Sequence, residues 1–510
     1  MNVPGAHPTP GAVLQRSRAR RVACQFFLIL ILSSGCNFPV FLPSTRPGNP
    51  PLVSWSGSAT LTPFQPDSAT ATPFPDPPLA ATSIQPGPPV ETPTPPPPSP
   101  TFAPDVVTWP PPNSIGPGPT PSTPVPPPFP LLSGQDTVNF LLIGSDRRTT
   151  SFRTDTLIIA SVRRQDRLVT LISIPRDLYV YIPGWTMQRI NTAYQQGELT
   201  GYPGGGPGLL KDTIRYNLGV RIDHLAMVEF DGFRQIIDTL DGIDVPLACP
   251  FTDWHIKNPR RSVEDPDNWK LYTIGPGLVH MDGDLALWYA RSRLRSSDFD
   301  RGRRQQEILR AIYARALRVN VIPRIPELFG ELRSTVDTDI SLSDLLDLAS
   351  LAPTLGANRV RSFYINRTYV TSWRTPQNAA VLLPNQETLQ QLIQEALSAP
   401  DPEEEASLDE VVEIWNGTGN PDWDALAAER LHYAGFETRL APADRRDYSG
   451  SILYNFTAGQ DPEVSSLLLH SLGLPSSSLV SSPGSENPIP YRLIIGEDYN
   501  PCFDPASLSH

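Results

Sequence analysis

The sequence predicts an α/β protein with a larger layered domain and a smaller α/β domain, both behind a proline-rich tether. Three observations carry this. Short apolar runs rich in β-branched residues alternate with amphipathic segments from Val138 onward, a second alternation of the same kind begins near Leu408, and more than half of the 60 prolines lie between Pro39 and Pro130. Alternation of this kind indicates layered α/β architecture. The proline-rich stretch has too little apolar surface to offset its ordering entropy, so it is expected to be disordered, a semi-stiff polyproline-type spacer.

At the start, "RSRARRVACQFFLILILSSGC" places Arg16, Arg18, Arg20 and Arg21 ahead of an apolar run from Val22 to Leu32 and small residues before Cys36. This is the layout of an export signal. The ending resembles a lipoprotein cleavage box, with Ser33 where a leucine is usual. An uncut segment would instead form a single short membrane anchor. Both alternatives put the remaining chain outside the cytoplasm. Two cysteines, Cys249 and Cys502, remain beyond the signal region. An exported compartment permits their pairing, which the sequence leaves open.

Within the larger domain, "VNFLLIG", "DTLIIASV" and "LVTLISI" read as buried strands, and "GPGLLKDTIRYNLG" as a helix closed by Gly219. "LAMVEF", "GFRQIIDTL" and "GIDVPL" give strand, helix, strand. Ile308, Leu309, Ile312, Tyr313, Ala316 and Leu317 form a stripe at helical spacing. That helix is expected to begin near Arg301, capped by Asp298 or Asp300. "ISLSDLLDLASLAP" and "AAVLLPNQETLQQLIQEAL" read as further helices. The expected organisation is 1–36 signal or anchor, 37–132 linker, 133–399 main domain, 400–407 acidic linker, 408–500 small domain and 501–510 tail.

The net charge is −12, with a sequence pI near 5.1, which argues against a nucleic-acid partner. Yet "YARSRLRSSDFDRGRRQQ" gathers six arginines in eighteen residues. Each could pair with a nearby carboxylate, or together they could hold a doubly charged anion. Arg291 and Arg293, two apart, would project from one face of an extended segment. Arg301 would stand at a helix start, where the dipole favours anions. Arg176 follows Pro175 at a strand end, which aims its side chain away from the sheet. Asp146 and Asp155 flank Arg148 and Arg153, and two carboxylates at a strand end suit a hard divalent cation. Capping and salt-bridge roles remain open for each of these residues.

The segments "GSDRR", "RTDT", "SIPRDLYV.IPG", "RINTAYQQG", "DHLAMVEFDGF", "DGIDV" and "ALWYARSR…DFDRGRRQQ" occur in the order found in the LytR-CpsA-Psr family. The resemblance covers about Gln135 to Arg318 closely and reaches Ser398 more loosely. Leu408 to about Tyr499 resembles the small C-terminal module that often accompanies these proteins. The resemblance implies an α–β–α catalytic domain with a hydrophobic lipid pocket, anchored on the outer face of the membrane. It further implies a phosphotransferase that moves a glycopolymer from a polyprenyl-pyrophosphate carrier onto peptidoglycan. By motif, Asp146 and Asp155 would bind Mg2+. Arg176, Arg291, Arg293 and Arg301 would hold the pyrophosphate, with Arg148 in support. Catalysis would fall to Asp146, Asp155 and Arg176. Two alternatives are a carrier-lipid pyrophosphatase using water and an envelope-related transcriptional attenuator.

Overall fold

The computed structural model describes residues 108–132, 137–148, 151–258, 260–293, 296–333, 335–457, 462–483 and 488–503. The signal or anchor segment, Cys36 and the first part of the proline-rich stretch lie outside these residues. No helix among the described residues is long and apolar enough to cross a membrane.

In chain order, the first strands are β1 (Thr137–Arg148), β2 (Ser151–Arg163), β3 (Leu168–Ile174), β4 (Tyr179–Tyr181) and β5 (Met187–Arg189). Helices α1 (Ala193–Thr200) and α2 (Gly205–Leu218) follow, then β6 (His224–Glu229), α3 (Phe230–Thr239) and β7 (Ile243–Leu247). A hairpin-like insertion supplies β8 (Phe251–Ile256), β9 (Trp269–Ile274) and β10 (Gly277–Met281). Next come α4 (Gly283–Arg291), α5 (Asp298–Arg318), α6 (Ile325–Leu332), β11 (Val336–Thr338), α7 (Leu342–Leu351) and β12 (Val360–Tyr364). The larger domain ends with β13 (Val370–Arg374), β14 (Ala380–Pro384) and α8 (Gln386–Leu397).

The central sheet runs β11-β6-β1-β2-β3-β12. Alternation along β1 and β2 explains its two layers. Leu141, Ile143, Leu157 and Ile159 face α2 and α8, whose Leu209, Ile214, Leu389 and Ile393 are fully buried against them. Phe140 and Val162 face the opposite way, toward α5, α6 and α7. The result is the expected α–β–α arrangement.

Several local expectations are corrected. The segment "AAVLLP" is β14, not the start of a helix, because its β-branched and leucine run pairs with β13. Helix α5 starts three residues before Arg301. Ser297 caps it and Asp300 returns the bond, a capping box. The acidic linker is itself helical over α9 (Pro402–Asp409).

Residues 108–132, read as part of the tether, pack onto the larger domain. The Phe129 and Leu132 amides donate to the Tyr216 and Gly219 carbonyls, and the Tyr181 and Tyr216 hydroxyls donate to the Pro110 and Pro126 carbonyls. A proline-rich strand keeps every carbonyl acceptor while lacking donors, so tyrosine hydroxyls are its natural partners. Gly219 has φ +69°, and a side chain there would collide with the Pro130 carbonyl.

The smaller domain contains β15 (Val411–Asn416), α10 (Trp423–Tyr433), β16 (Glu437–Ala441), β17 (Ile452–Asn455), α11 (Pro462–Leu472), β18 (Leu479–Ser481) and β19 (Tyr491–Ile495). Its sheet order is β16-β15-β19-β17-β18, with α10 and α11 packed on one face around Val412, Ile414 and Leu493. The strands β16 and β18 are additions to the alternation read from sequence.

This domain is fixed to the larger one. Arg310 of α5 donates to Glu429 of α10 at 2.8 Å and to the Val360 and Ala357 carbonyls, beneath the Tyr433 ring. Asn358 donates to the Leu408 and Gly435 carbonyls. Cys249 and Cys502 form a disulfide across 253 residues. Burial pushes Glu429 up, but Arg310 and His432 outweigh it and hold the carboxyl at about 2.

Two predictions follow from this seam. Cys502→Ser should lower unfolding stability by about 2–5 kcal/mol, read by denaturant titration. Because the folded Glu429 carboxyl lies below its unfolded value, its contribution is complete above roughly pH 4.5. It is lost as pH falls toward 2. Glu429→Gln should remove that acid-dependent portion from the stability–pH curve.

Candidate active site

Of the candidate residues, Asp155 and Arg176 meet at one edge of the central sheet, and Arg301 reaches them from α5. Strands β1, β3, β6 and β12 end there and β2 begins there, as their registers require. Pro175 terminates β3, and Arg176 leaves the strand as the sequence predicts. Its guanidinium meets Asp155 at the start of β2, Nη1 to Oδ1 2.5 Å, with Asp177 at 3.5 Å and Asp298 at 3.9 Å. Its Nε is buried without a hydrogen-bond acceptor among the described residues. Burial lowers the Arg176 affinity for its proton, but the Asp155 hydrogen bond and the three carboxylates outweigh it, so the net shift is upward.

Arg301 enters from α5. It is 8% exposed, lies 3.3 Å from Asp298 and donates to the Asp155 carbonyl at 3.4 Å. Burial pushes its pKa down and Asp298 pulls it back, while Arg176 and Arg293 press it lower still. A guanidinium does not give up its proton in a protein, so Arg301 stays charged although burial, the largest cause of the shift, opposes it.

The six arginines of the cluster divide by surroundings. Arg293 reaches Asp298 at 3.4 Å. Arg291 ends α4 and stacks its guanidinium 3.9 Å over the Phe230 ring. Because Arg291 is helical and Arg293 lies beyond the Ser292 cap, the expected shared face of an extended segment is absent. Arg301 is the fourth residue of α5, not its first, and its amide already donates to Ser297. The helix-start argument for that residue therefore gives way to the side-chain argument.

Arg303 pairs with Glu307, which also accepts from the Tyr289 hydroxyl at 2.7 Å. Arg304 is 1% exposed and donates to the Tyr289 and Ser292 carbonyls, tying α4 to α5. Both are structural. Arg295 lies outside the described residues.

Asp146 and Arg148 stand at the end of β1, with Asp146 opposite Arg153 and Arg148 opposite Ser151. Their backbones are therefore at the same sheet edge, while their side chains lie outside the description. Among the described residues no three His, Cys, Asp or Glu side chains come together as a metal cage. Magnesium requires only one or two carboxylates beside phosphate oxygens, and Asp155, with Asp298 near the same guanidinium, offers hard oxygen donors of that kind. The donor chemistry fits.

Two residues were not singled out from the sequence as ligands. Gln305, one turn after Arg301 and so on the same helix face, donates to Thr156 Oγ1 at 2.8 Å and lines the Arg176 recess. Asp298, read only as a cap, bridges Arg176, Arg293 and Arg301. The i, i+4 spacing was a usable signal for Gln305.

The same helix leads to a second feature. Between the sheet and α5–α7 lies an apolar cavity of about 540 Å³, lined by residues including Phe140, Val162, Tyr313, Leu317, Phe329 and Leu348. From Arg301 to Tyr313 the helix advances about 18 Å at its standard rise. One helix thus carries a cationic recess at its start and apolar lining further along.

The family to which the chain belongs is shown by its sequence. The chain belongs to the LytR_cpsA_psr family, whose model matches residues 121–398. It is 32% identical over 221 residues to the polyisoprenyl-teichoic acid–peptidoglycan teichoic acid transferase TagU of Oceanobacillus iheyensis, covering 43% of this chain and 63% of that one. It is 30% identical over 222 residues to TagU of Enterococcus faecalis, with the same coverages. Thus the chain spans somewhat under two thirds of these relatives. The crystal structure of Bacillus subtilis TagV is matched at 25% identity and a TM-score of 0.42, over 52% of this chain and all of that one.

Arg176→Ala should weaken binding of a short-chain polyprenyl pyrophosphate at least tenfold, since a charge-assisted bond is worth about 1.5–3 kcal/mol. Its circular dichroism should stay unchanged. Arg304→Ala should instead lower stability, as expected for a buried tie between helices.

Proposed function

We propose that the protein is an extracytoplasmic phosphotransferase that moves a glycopolymer from a polyprenyl-pyrophosphate carrier onto peptidoglycan. The observation that carries this reading is the pairing of the Arg176–Arg301 recess with the apolar cavity along α5. Family membership and the names of the relatives support it. The interdomain disulfide suits an oxidising, exported setting.

Arg176, Arg293 and Arg301 would grip the diphosphate oxygens, which guanidiniums bind bidentately. Arg291 would approach from its seat on Phe230. In the free protein Asp155 and Asp298 hold these groups in place, so the anion meets donors that are already oriented. Gln305 would add a neutral donor. The apolar cavity would take the polyprenyl chain. Asp146 and Asp155 would hold a magnesium ion, which supplies charge neutralisation for the diphosphate.

A hydroxyl of the acceptor glycan attacks the phosphorus that bears the polymer. Its new O–P bond forms as the bond to the bridging oxygen breaks, and polyprenyl phosphate leaves with the electron pair. Asp146 or Asp155 would accept the hydroxyl proton. An N-terminal lipid on Cys36, or an uncut apolar segment, would hold the protein at the membrane where the carrier resides.

The test supplies labelled polyprenyl-diphospho-sugar with and without peptidoglycan. Label should move to the wall polymer in the wild type and fall by at least a hundredfold in Arg176→Ala and Arg293→Ala, the scale of losing one electrostatic contact to a developing charge. Full transfer by both folded variants refutes the assignment, and release of label to water alone identifies a pyrophosphatase.

A further inference from the structure

Residues 108–120 lie ahead of the residues that the family model matches, and the scheme above gives them no part. They nevertheless support the site, through the hairpin of β4 and β5. At the base of that hairpin Asp177 lies 3.5 Å from both Arg176 and Arg189, so one carboxylate spaces two guanidiniums. The Ile190 amide donates to the Leu178 carbonyl at 2.8 Å, and the Asn191 amide to the Arg176 carbonyl at 3.3 Å. The Asn191 carbonyl in turn accepts from the hydroxyl of Thr154, the neighbour of Asp155. The backbone on both sides of the Arg176–Asp155 pair is thus joined to the hairpin base.

The turn at the other end, residues 182–186, is covered by the proline-rich segment. The Gly184 and Trp185 carbonyls accept from the Ile115 and Asn113 amides at 3.0 and 2.9 Å. The Trp185 indole and Thr186 hydroxyl donate to the Pro117 and Pro119 carbonyls at 3.2 and 2.8 Å. Gly184 and Thr186 are buried, so without these partners their polar groups would be left costly and unpaired. Two strands of three residues have little stability of their own. Both chains use glycine for the close approach: a side chain on Gly184 would press on Ile115, and one on Gly118 would come within 2.8 Å of the Trp185 ring nitrogen.

We infer that the end of the proline-rich tether, residues 108–119, is a clasp that positions the anion-binding group. By fixing the turn of β4 and β5 it keeps Asp177 between Arg176 and Arg189, and so holds the Arg176 guanidinium in one orientation. These tether residues act through the hairpin and are positioning residues, without contact to the anion. That the oriented group receives a diphosphate rests on the transferase reading; the mechanical link from the clasp to the hairpin base does not. The recess is complete only with the last part of the tether docked.

The test compares the full wild-type chain with two variants. One replaces residues 110–119 by glycine and serine at unchanged length, and the other is Gly118→Val, which wedges a side chain against Trp185. Hydrogen exchange should show the Trp185 amide at the turn and the Ile190 and Asn191 amides at the base opening about tenfold more readily, the scale of one lost hydrogen bond. The amides of β1 and β2 should keep their protection. Affinity for farnesyl pyrophosphate, measured by calorimetry, should fall about threefold or more, since only the fraction with an ordered base binds at full strength. Faster exchange confined to the turn, unchanged exchange throughout, or full affinity in a variant whose base has loosened overturns the clasp. If the ten-residue replacement also exposes β1 and β2, it has unfolded the domain and Gly118→Val decides. A wild type that does not bind farnesyl pyrophosphate refutes the anion-binding reading, while exchange at Ile190 and Asn191 still decides the clasp.

Discussion

Arg176 held by Asp155 is the contact on which the site depends. A guanidinium in a half-buried recess would be costly alone, and a carboxylate across the strand edge offsets that cost. Asp298 does the same for Arg293 and Arg301. The protein therefore keeps Arg176, Arg293 and Arg301 close together by interleaving carboxylates between them. Internal pairing, one of the two explanations for the arginine-rich stretch, is realised; anion binding is what the proposed function adds.

Helix α5 links this electrostatic arrangement to the rest of the fold. Its first turns carry Asp298, Arg301 and Gln305, its middle buries Arg304 and Glu307, and its later turns face the apolar cavity. Arginine serves three purposes within four positions. Arg301 faces the recess, Arg303 meets Glu307, and Arg304 fastens α4 to α5. The partners, not the residue type, separate these roles.

That division explains what the sequence could reveal. The central strands were legible because Leu141, Ile143, Leu157 and Ile172 form apolar runs whose burial is nearly total. Arg176 was legible because proline sets the direction of the residue after a strand. The true start of α5 was also written in the chain, as Ser297 and Asp300 in capping-box spacing, but the arginines drew the boundary toward Arg301. The short edge strands β16 and β18 gave little periodicity to read. Contacts made through carbonyls, such as Tyr216 with Pro126 or Asn358 with Gly435, leave almost no compositional trace. Nor does the pairing of Cys249 with Cys502, which needs three-dimensional proximity.

The seam between the domains has a mechanical consequence. Arg310 and Glu429 join α10 to the helix that also bears Arg301, and the disulfide makes a second connection, to Cys249 between β7 and β8. A pull on the smaller domain is therefore delivered into α5, not absorbed by a slack hinge. Tension applied to the smaller domain would then bear on the helix that carries Arg301 and Gln305.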